Sequence, residues 1–275
     1  IQSPPLQVAG SAITLFKKIF GRKTLVNISD LWPLSAVELG AMREGGKIYD
    51  IFAWIERYIY RNADGIFGQS EEIIRHVNQF PSTKNKFVYR NLQQYAVAAQ
   101  PKRKHTPFRI VYAGLLGVAQ DIYSIIENIP FQSIGAEFHL YGGGNQAEKI
   151  KEYINKHPGC FVYYHGYVKK EQIAEELSRY DASIVPLTVA IKGAVPSKIY
   201  DLIPIGIPIL FCGGGEGAEI VSKYYFGMVS KPHDFKQLHN NIIELINLPD
   251  EEYSTISKNC LDLSLIHISE PTRHA

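Results

Sequence analysis

Ser197, Lys198 and Asp201 lie within KGAVPSKIYDLIPIGIPIL (192–210), directly after Pro196 and just before Pro204, Gly206 and Pro208. Pro suits the first turn of a helix and Gly-x-Pro marks its end. The stretch therefore predicts a short helix over 196–204 and then a buried strand over 207–211. On that helix Lys198 and Asp201 stand one turn apart on a shared face. The ammonium can neutralise an anion, and the carboxylate can accept hydrogen bonds. Pro196 and Ser197 set the helix N-terminus, whose free N–H groups suit phosphate. The plain alternative is a surface Lys–Asp pair worth under about 1 kcal/mol.

Glycines gather where such chemistry would need them. AGLLG (113–117) follows FRIVY, YGGGNQ (141–146) follows EFHL, and CGGGEGAE (212–219) follows IPILF. Glycine lets the backbone come close to an anion at the carboxyl edge of a parallel sheet. Glycine is also common in any strand-to-helix turn, but three such turns favour a phosphate-bearing ligand. A dinucleotide fingerprint fits poorly, because G-x-G-x-x-G is missing after Tyr112 and no acid ends the next strand at Tyr141.

The elements that must position these residues alternate along the chain. Strands are expected at 24–28, 65–69 and 86–90, with helices at 8–20, 47–62 and 70–79. After the basic break QPKRKHTP (100–107), strands are expected at 108–113, 137–141, 161–165, 182–186 and 207–211. Helices are expected near 119–128, 145–156, 169–179, 196–204, 216–223 and 234–247. This repetition implies an α/β fold of two lobes, each a parallel sheet covered by helices. The first lobe shows only about three strands and reads as incomplete, and the chain opens without an initiator Met.

Composition narrows the classes. Of 275 residues, 45% are hydrophobic and 20% charged, enough for a sizeable core. A net charge of +2 gives no case for nucleic-acid binding. Cys160, Cys212 and Cys260 are too scattered for a disulfide framework or a zinc site, which fits a reducing compartment. No apolar run reaches the roughly 18–20 residues that span a bilayer.

In their order, SPPLQ, NISDLWPLSAVELG, YIYRNADGIFGQSE, FVYRNL, FRIVYAGLLG, AEFHLYGGGN, FVYYHGYVKKEQIAEELSRYDASIVPL and VPSKIYDLIPIGIPIL resemble glycosyltransferase family 4 enzymes of the GT-B fold. The nearest branch is the one that builds bacterial capsule, O-antigen and exopolysaccharide chains. The resemblance divides the chain into a partial acceptor lobe (1–99), a linker (100–107), a nucleotide-sugar donor lobe (108–248) and a partial return helix (249–263). Residues 264–275, with LIHISEPTR, read as a non-native tail.

The resemblance implies a retaining, metal-independent glycosyltransferase without a cofactor. Its donor is a nucleotide diphosphate sugar and its acceptor a glycan or lipid-linked sugar. Asp201, where the family usually has Glu, would hold the ribose hydroxyls, and Lys198 would answer the charge of the departing diphosphate. Gly114 and Gly117 match the turn that approaches the diphosphate, with Gly142 and Gly143 in the next turn. Tyr167 and Val168 match the segment whose backbone reads the nucleobase edge. Arg90, next to Asn91, either contacts phosphate or pairs with an acid. The expected location is cytoplasmic, peripheral on the inner face of the plasma membrane.

Two departures stand out. The family's paired acids lie eight positions apart, and counting back from Asp201 reaches Gly193. Many relatives also have a histidine where this chain reads Ser29-Asp30. Asp30 either contacts sugar or acceptor, or caps the turn before Trp32-Pro33. His139 and His165 lie in strand patterns and read as core histidines. The segment 8–23, apolar on one face and basic at its end, reads as a core helix first and a lipid-contacting helix second. A sugar-nucleotide epimerase of the same fold and a non-catalytic nucleotide-sugar binding module are the competing functions.

Overall fold

The structure is a computed structural model that describes residue 10 and residues 12–90, 103–189 and 191–269. Asn91, the first part of the expected linker, the beginning of the expected helix at 8–20 and residues 270–275 lie outside the described residues. The chain forms two compact units. The first comprises Ile1–Asn91, Ile191–Val195 and Ser269–Ala275; the second comprises Leu92–Ala190 and Pro196–Ile268.

The first unit holds a parallel sheet of β1 (Leu25–Ile28), β2 (Gly65–Gly68) and β3 (Lys86–Val88), in that order. The helix Lys47–Asn62 joins β1 to β2 and turns Ala53, Ile59 and Tyr60 inward. Ile59 and Tyr60 pack with Val26, Ile28, Leu31, Ile66, Ile73 and Val77. The helix Glu71–Val77 starts at Ser70, whose hydroxyl accepts the Ile73 N–H at 3.1 Å. Acids fill its first turn and Arg75 and His76 its last, as the helix dipole favours. The segment expected to be a core helix is a π-helical turn, Thr14–Ile19. It buries Ile13 beside the sheet but leaves Leu15, Phe16, Ile19 and Phe20 exposed. Ile48, Ile51 and Trp54 make a second exposed apolar stripe on the helix Lys47–Asn62.

The segment Ile191–Val195 explains the departure at Gly193. The Gly193 N–H donates to Glu72 Oε2 at 2.7 Å, and its carbonyl accepts the Ser70 hydroxyl at 2.8 Å. The residue sits at φ +79°, and a Cβ there would stand 2.9 Å from Ile73 Cγ1 and 3.1 Å from Leu31 Cδ1. A carboxylate side chain has neither the backbone conformation nor the space at this position. Gly193→Ala is therefore expected to destabilise the first unit by about 1–3 kcal/mol, from a strained φ and overpacking together. Urea unfolding checks it, and an unchanged midpoint would contradict the packing argument.

The second unit is a six-stranded parallel sheet ordered β6-β5-β4-β7-β8-β9. Its strands are β4 (Phe108–Ala113), β5 (Ala136–Tyr141), β6 (Val162–Gly166), β7 (Ala182–Pro186), β8 (Ile209–Cys212) and β9 (Gly227–Ser230). The order reverses between β4 and β7, which opens a crevice at their carboxyl ends. Phe108, Ile110, Phe138, Leu140, Ile184 and Leu210 fill the core beneath.

Three expectations need adjustment. The strand expected from 207 begins at Ile209, because Pro208 has no N–H to give; its carbonyl accepts the Ser183 N–H at 2.9 Å. The helix expected over 196–204 is α-helical only from Ser197 to Leu202, then tightens to 3₁₀ over Ile203–Ile205 and stops at Gly206, φ +70°. His139 and His165 are not core residues. His165 is exposed on the edge strand β6, and its Nε2 lies 2.9 Å from Nδ1 of half-buried His139. The last helix, Asp250–Ser269, runs through the first residues of the expected tail.

Candidate functional site

A cavity of about 380 Å³ opens at the carboxyl ends of β4 and β5 in the second unit. It is lined by Gly114 and Leu115 after β4, by Gly142 and Gly143 after β5, and by Tyr167, Val168 and Ile173 after β6. That volume lies within the range of ordinary small-ligand sites. A second cavity, beside Cys212 and Ser230, measures about 20 Å³, room for little more than one water molecule.

The two glycine turns are locked edge to edge by main-chain bonds. The Gly114 N–H donates to Tyr141 O at 2.9 Å, Leu116 N–H to Gly143 O at 2.9 Å, and Gly142 N–H to Gly166 O at 2.7 Å. The Tyr164 hydroxyl adds a bond to Gly142 O at 2.8 Å. Gly142, at φ +118°, faces Gly114 so closely that a Cβ would lie 2.0 Å from its carbonyl oxygen. Gly143 is covered by the Tyr167 side chain, whose hydroxyl would be 2.2 Å from a Cβ. Tyr167 itself is 84% exposed.

Lys198 and Asp201 both lie on the helix Ser197–Leu202, and neither is among the residues lining the cavity. Lys198 Nζ lies over the Tyr112 ring, 5.4 Å from its centroid, and reaches the position a Gly114 Cβ would occupy, at 2.5 Å. Burial pulls the Lys198 pKa down, and the charge of Asp201 opposes that pull. Burial also pushes the Asp201 carboxyl up, against the charges of Lys198 and Lys170. Among the described residues Lys198 forms neither an ion pair nor a hydrogen bond.

The structure thus brings Gly114, Gly142, Gly143, Tyr167 and Val168 around one cavity, with Lys198 against its glycine wall. Gly117 is buried behind it, where its carbonyl accepts the Gln120 and Asp121 N–H groups at 3.2 and 3.0 Å. Pro196 caps the start of the lysine helix, and Ser197 is exposed beside it. Arg90 and Asp30 belong to the first unit. The Arg90 guanidinium lies 3.9 Å from Glu71 Oε1, and Asp30 is exposed. The third glycine run does not line the cavity. Gly217 instead lets the helix Gly215–Lys223 pack against Pro196, 3.3 Å from where a Cβ would stand. Tyr112 and Tyr141, at the ends of β4 and β5 next to the glycines, also belong to the site, as do Tyr164 within β6 and Ile173 at the start of the following helix, which no local pattern marks.

Both units, parallel sheets with covering helices, have the fold of the GT-B glycosyltransferases. The chain belongs to the family described as glycosyl transferases group 1, whose model matches residues 107–248. Anabaena HepE in complex with UDP is similar at 14% identity and TM-score 0.70, over 96% of this chain and 73% of that one. Sucrose-phosphate synthase from Thermosynechococcus elongatus is similar at 16% identity and TM-score 0.69, over 94% and 66%. A mutant of S. aureus TarM, solved with fondaparinux, alpha-GlcNAc-glycerol and UDP, is similar at 18% identity and TM-score 0.63. That match covers 94% of this chain, which spans about half (51%) of the TarM chain. No curated protein is significantly similar in sequence.

Proposed function

We propose that the chain acts in a retaining glycosyltransferase of family 4, one that moves a sugar from a nucleotide diphosphate sugar to a glycan or lipid-linked acceptor in surface-polysaccharide synthesis. The observation that carries this reading is the partly buried Lys198 ammonium, which makes no ion pair or hydrogen bond among the described residues and lies against Gly114 in the wall of a cavity. An ammonium withdrawn from water without a partner is costly, and an incoming diphosphate removes that cost. HepE, solved with UDP and with UDP-glucose, supports a nucleotide sugar as the ligand.

In this reading the main chain at Gly114, Gly142 and Gly143 admits the diphosphate, with Gly117 shaping the turn. Tyr167 and Val168 border the base, and Asp201 holds the ribose diol. Lys198, in place of a metal ion, answers the charge that grows as the sugar–phosphate bond breaks. The new glycosidic bond forms on the face the diphosphate leaves. The Arg90–Glu71 contact within the first unit fits the acid-pairing alternative for Arg90, and Asp30 is assigned to acceptor contact. The site of action is the cytoplasmic face of the plasma membrane, and the exposed Phe16, Phe20 and Trp54 support peripheral contact with lipid. No helix among the described residues is long and apolar enough to cross a membrane.

Product analysis tests the reading, since a glycoside, an epimer or an unchanged donor each points to a different function. Asp201→Ala is expected to weaken UDP binding by about 1.5–3 kcal/mol through loss of charge-assisted hydrogen bonds, with the fold intact. Calorimetric titration measures it, and unchanged affinity would reject the ribose assignment.

A further inference from the structure

Tyr112 is fully buried at the carboxyl end of β4, one residue before the cavity wall begins at Ala113. Its hydroxyl donates to the Leu115 carbonyl at 2.7 Å, inside the loop that carries Gly114 and Gly117. Its ring is the surface over which Lys198 Nζ rests, 5.4 Å from the centroid. Gly114 makes this approach possible, because a Cβ there would stand 2.5 Å from Lys198 Cε and 3.2 Å from the Tyr112 hydroxyl oxygen.

The electron-rich face of an aromatic ring attracts an ammonium within about 6 Å, and more strongly once water is excluded. For Lys198, which burial disfavours in its charged form and the Asp201 charge supports without contact, the ring adds compensation without a carboxylate's grip. A carboxylate in contact would compete with an anionic ligand; a ring yields the ammonium readily. The same residue ties down the glycine loop through its hydroxyl, so cation and loop share one support.

We propose that Tyr112 is a positioning residue of this site: its ring seats the Lys198 ammonium against Gly114 in the cavity wall, and its hydroxyl fixes the Gly114–Gly117 loop beside that ammonium. The ligand rests on the nucleotide-diphosphate reading above, but the seating does not.

Two measurements on the full chain separate these. In the first, lysines are labelled by ¹³C reductive methylation and Lys198 is assigned by its loss in Lys198→Met. Tyr112→Phe, followed by increasingly fluorinated phenylalanines at position 112, weakens the ring face at nearly constant shape. The Lys198 titration midpoint should fall stepwise across the series, by roughly half a unit in all. A flat series overturns the proposal. In the second, Tyr112→Leu should weaken UDP binding about tenfold when Lys198 is present and less than about twofold in Lys198→Met. Equal losses in both backgrounds would make Tyr112 a packing residue only, and the proposal fails. Should Tyr112→Leu not fold, the fluorinated series decides alone. Absence of UDP binding by the unaltered chain would sink the nucleotide reading while the lysine titration still decides the seating.

Discussion

Replacing Lys198 with Met is expected to lower sugar-transfer turnover by roughly 10²–10³-fold while weakening donor binding far less. In the proposed function the ammonium meets a diphosphate whose negative charge is largest once the bond to the sugar has stretched. Its contribution therefore falls mainly on the transition state and appears in kcat. Methionine keeps the length and apolar stem of the side chain, so packing over Tyr112 and against Gly114 survives. Only the charge is removed. Steady-state kinetics on the complete enzyme decide the matter: a raised KM with normal turnover would make Lys198 a ground-state binding residue.

The second large effect is expected at Gly142, and its neighbour supplies the control. Alanine at 142 would place a Cβ 2.0 Å from the Gly114 carbonyl oxygen, backbone against backbone, at φ +118°. Neither strand can move aside, because the Gly114 and Gly142 N–H groups are both held in the sheet ladder at 2.9 and 2.7 Å. Gly142→Ala should cost about 2–4 kcal/mol of stability and abolish nucleotide binding by spreading the two turns. Gly143→Ala meets only the free end of the exposed Tyr167, which can swing away. That variant should stay within about 1 kcal/mol of the parent. Thermal unfolding of the two variants side by side tests the contrast, and equal losses would show that the turns are not locked.

Much of the sheet was legible because buried parallel strands are uniform apolar runs between punctuating residues. FRIVYA and ASIVP match β4 and β7 residue for residue, and KIYDIFAWIERYIYRN matches its helix. β9, with the sequence GMVS, was missed: four residues opening on a glycine carry too little pattern. The histidine pair was misjudged because alternation in a strand shows which residues share a face, not whether another element covers it. The helix that carries Lys198 and Asp201 was legible through its punctuation. Tyr112 was not, since its role comes from a lysine far along the chain, brought near by the pairing of β4 with β7. Gly193 is a similar case. Its need for a positive φ depends on Leu31 and Ile73, which no local pattern connects to it.

The bare apolar side chains of the first unit also govern how the molecule behaves in a test tube. Phe16, Ile19, Phe20, Ile48, Ile51 and Trp54 are attractive patches, and colloidal repulsion alone opposes their meeting. With a net charge of +2 and an isoelectric point near 8.3, that repulsion is slight at pH 7 and vanishes with mild alkalinity. Mild acidity strengthens it as the net positive charge grows. Added salt weakens it at any pH. Concentrated stocks should therefore stay clear longest in dilute, slightly acidic buffer.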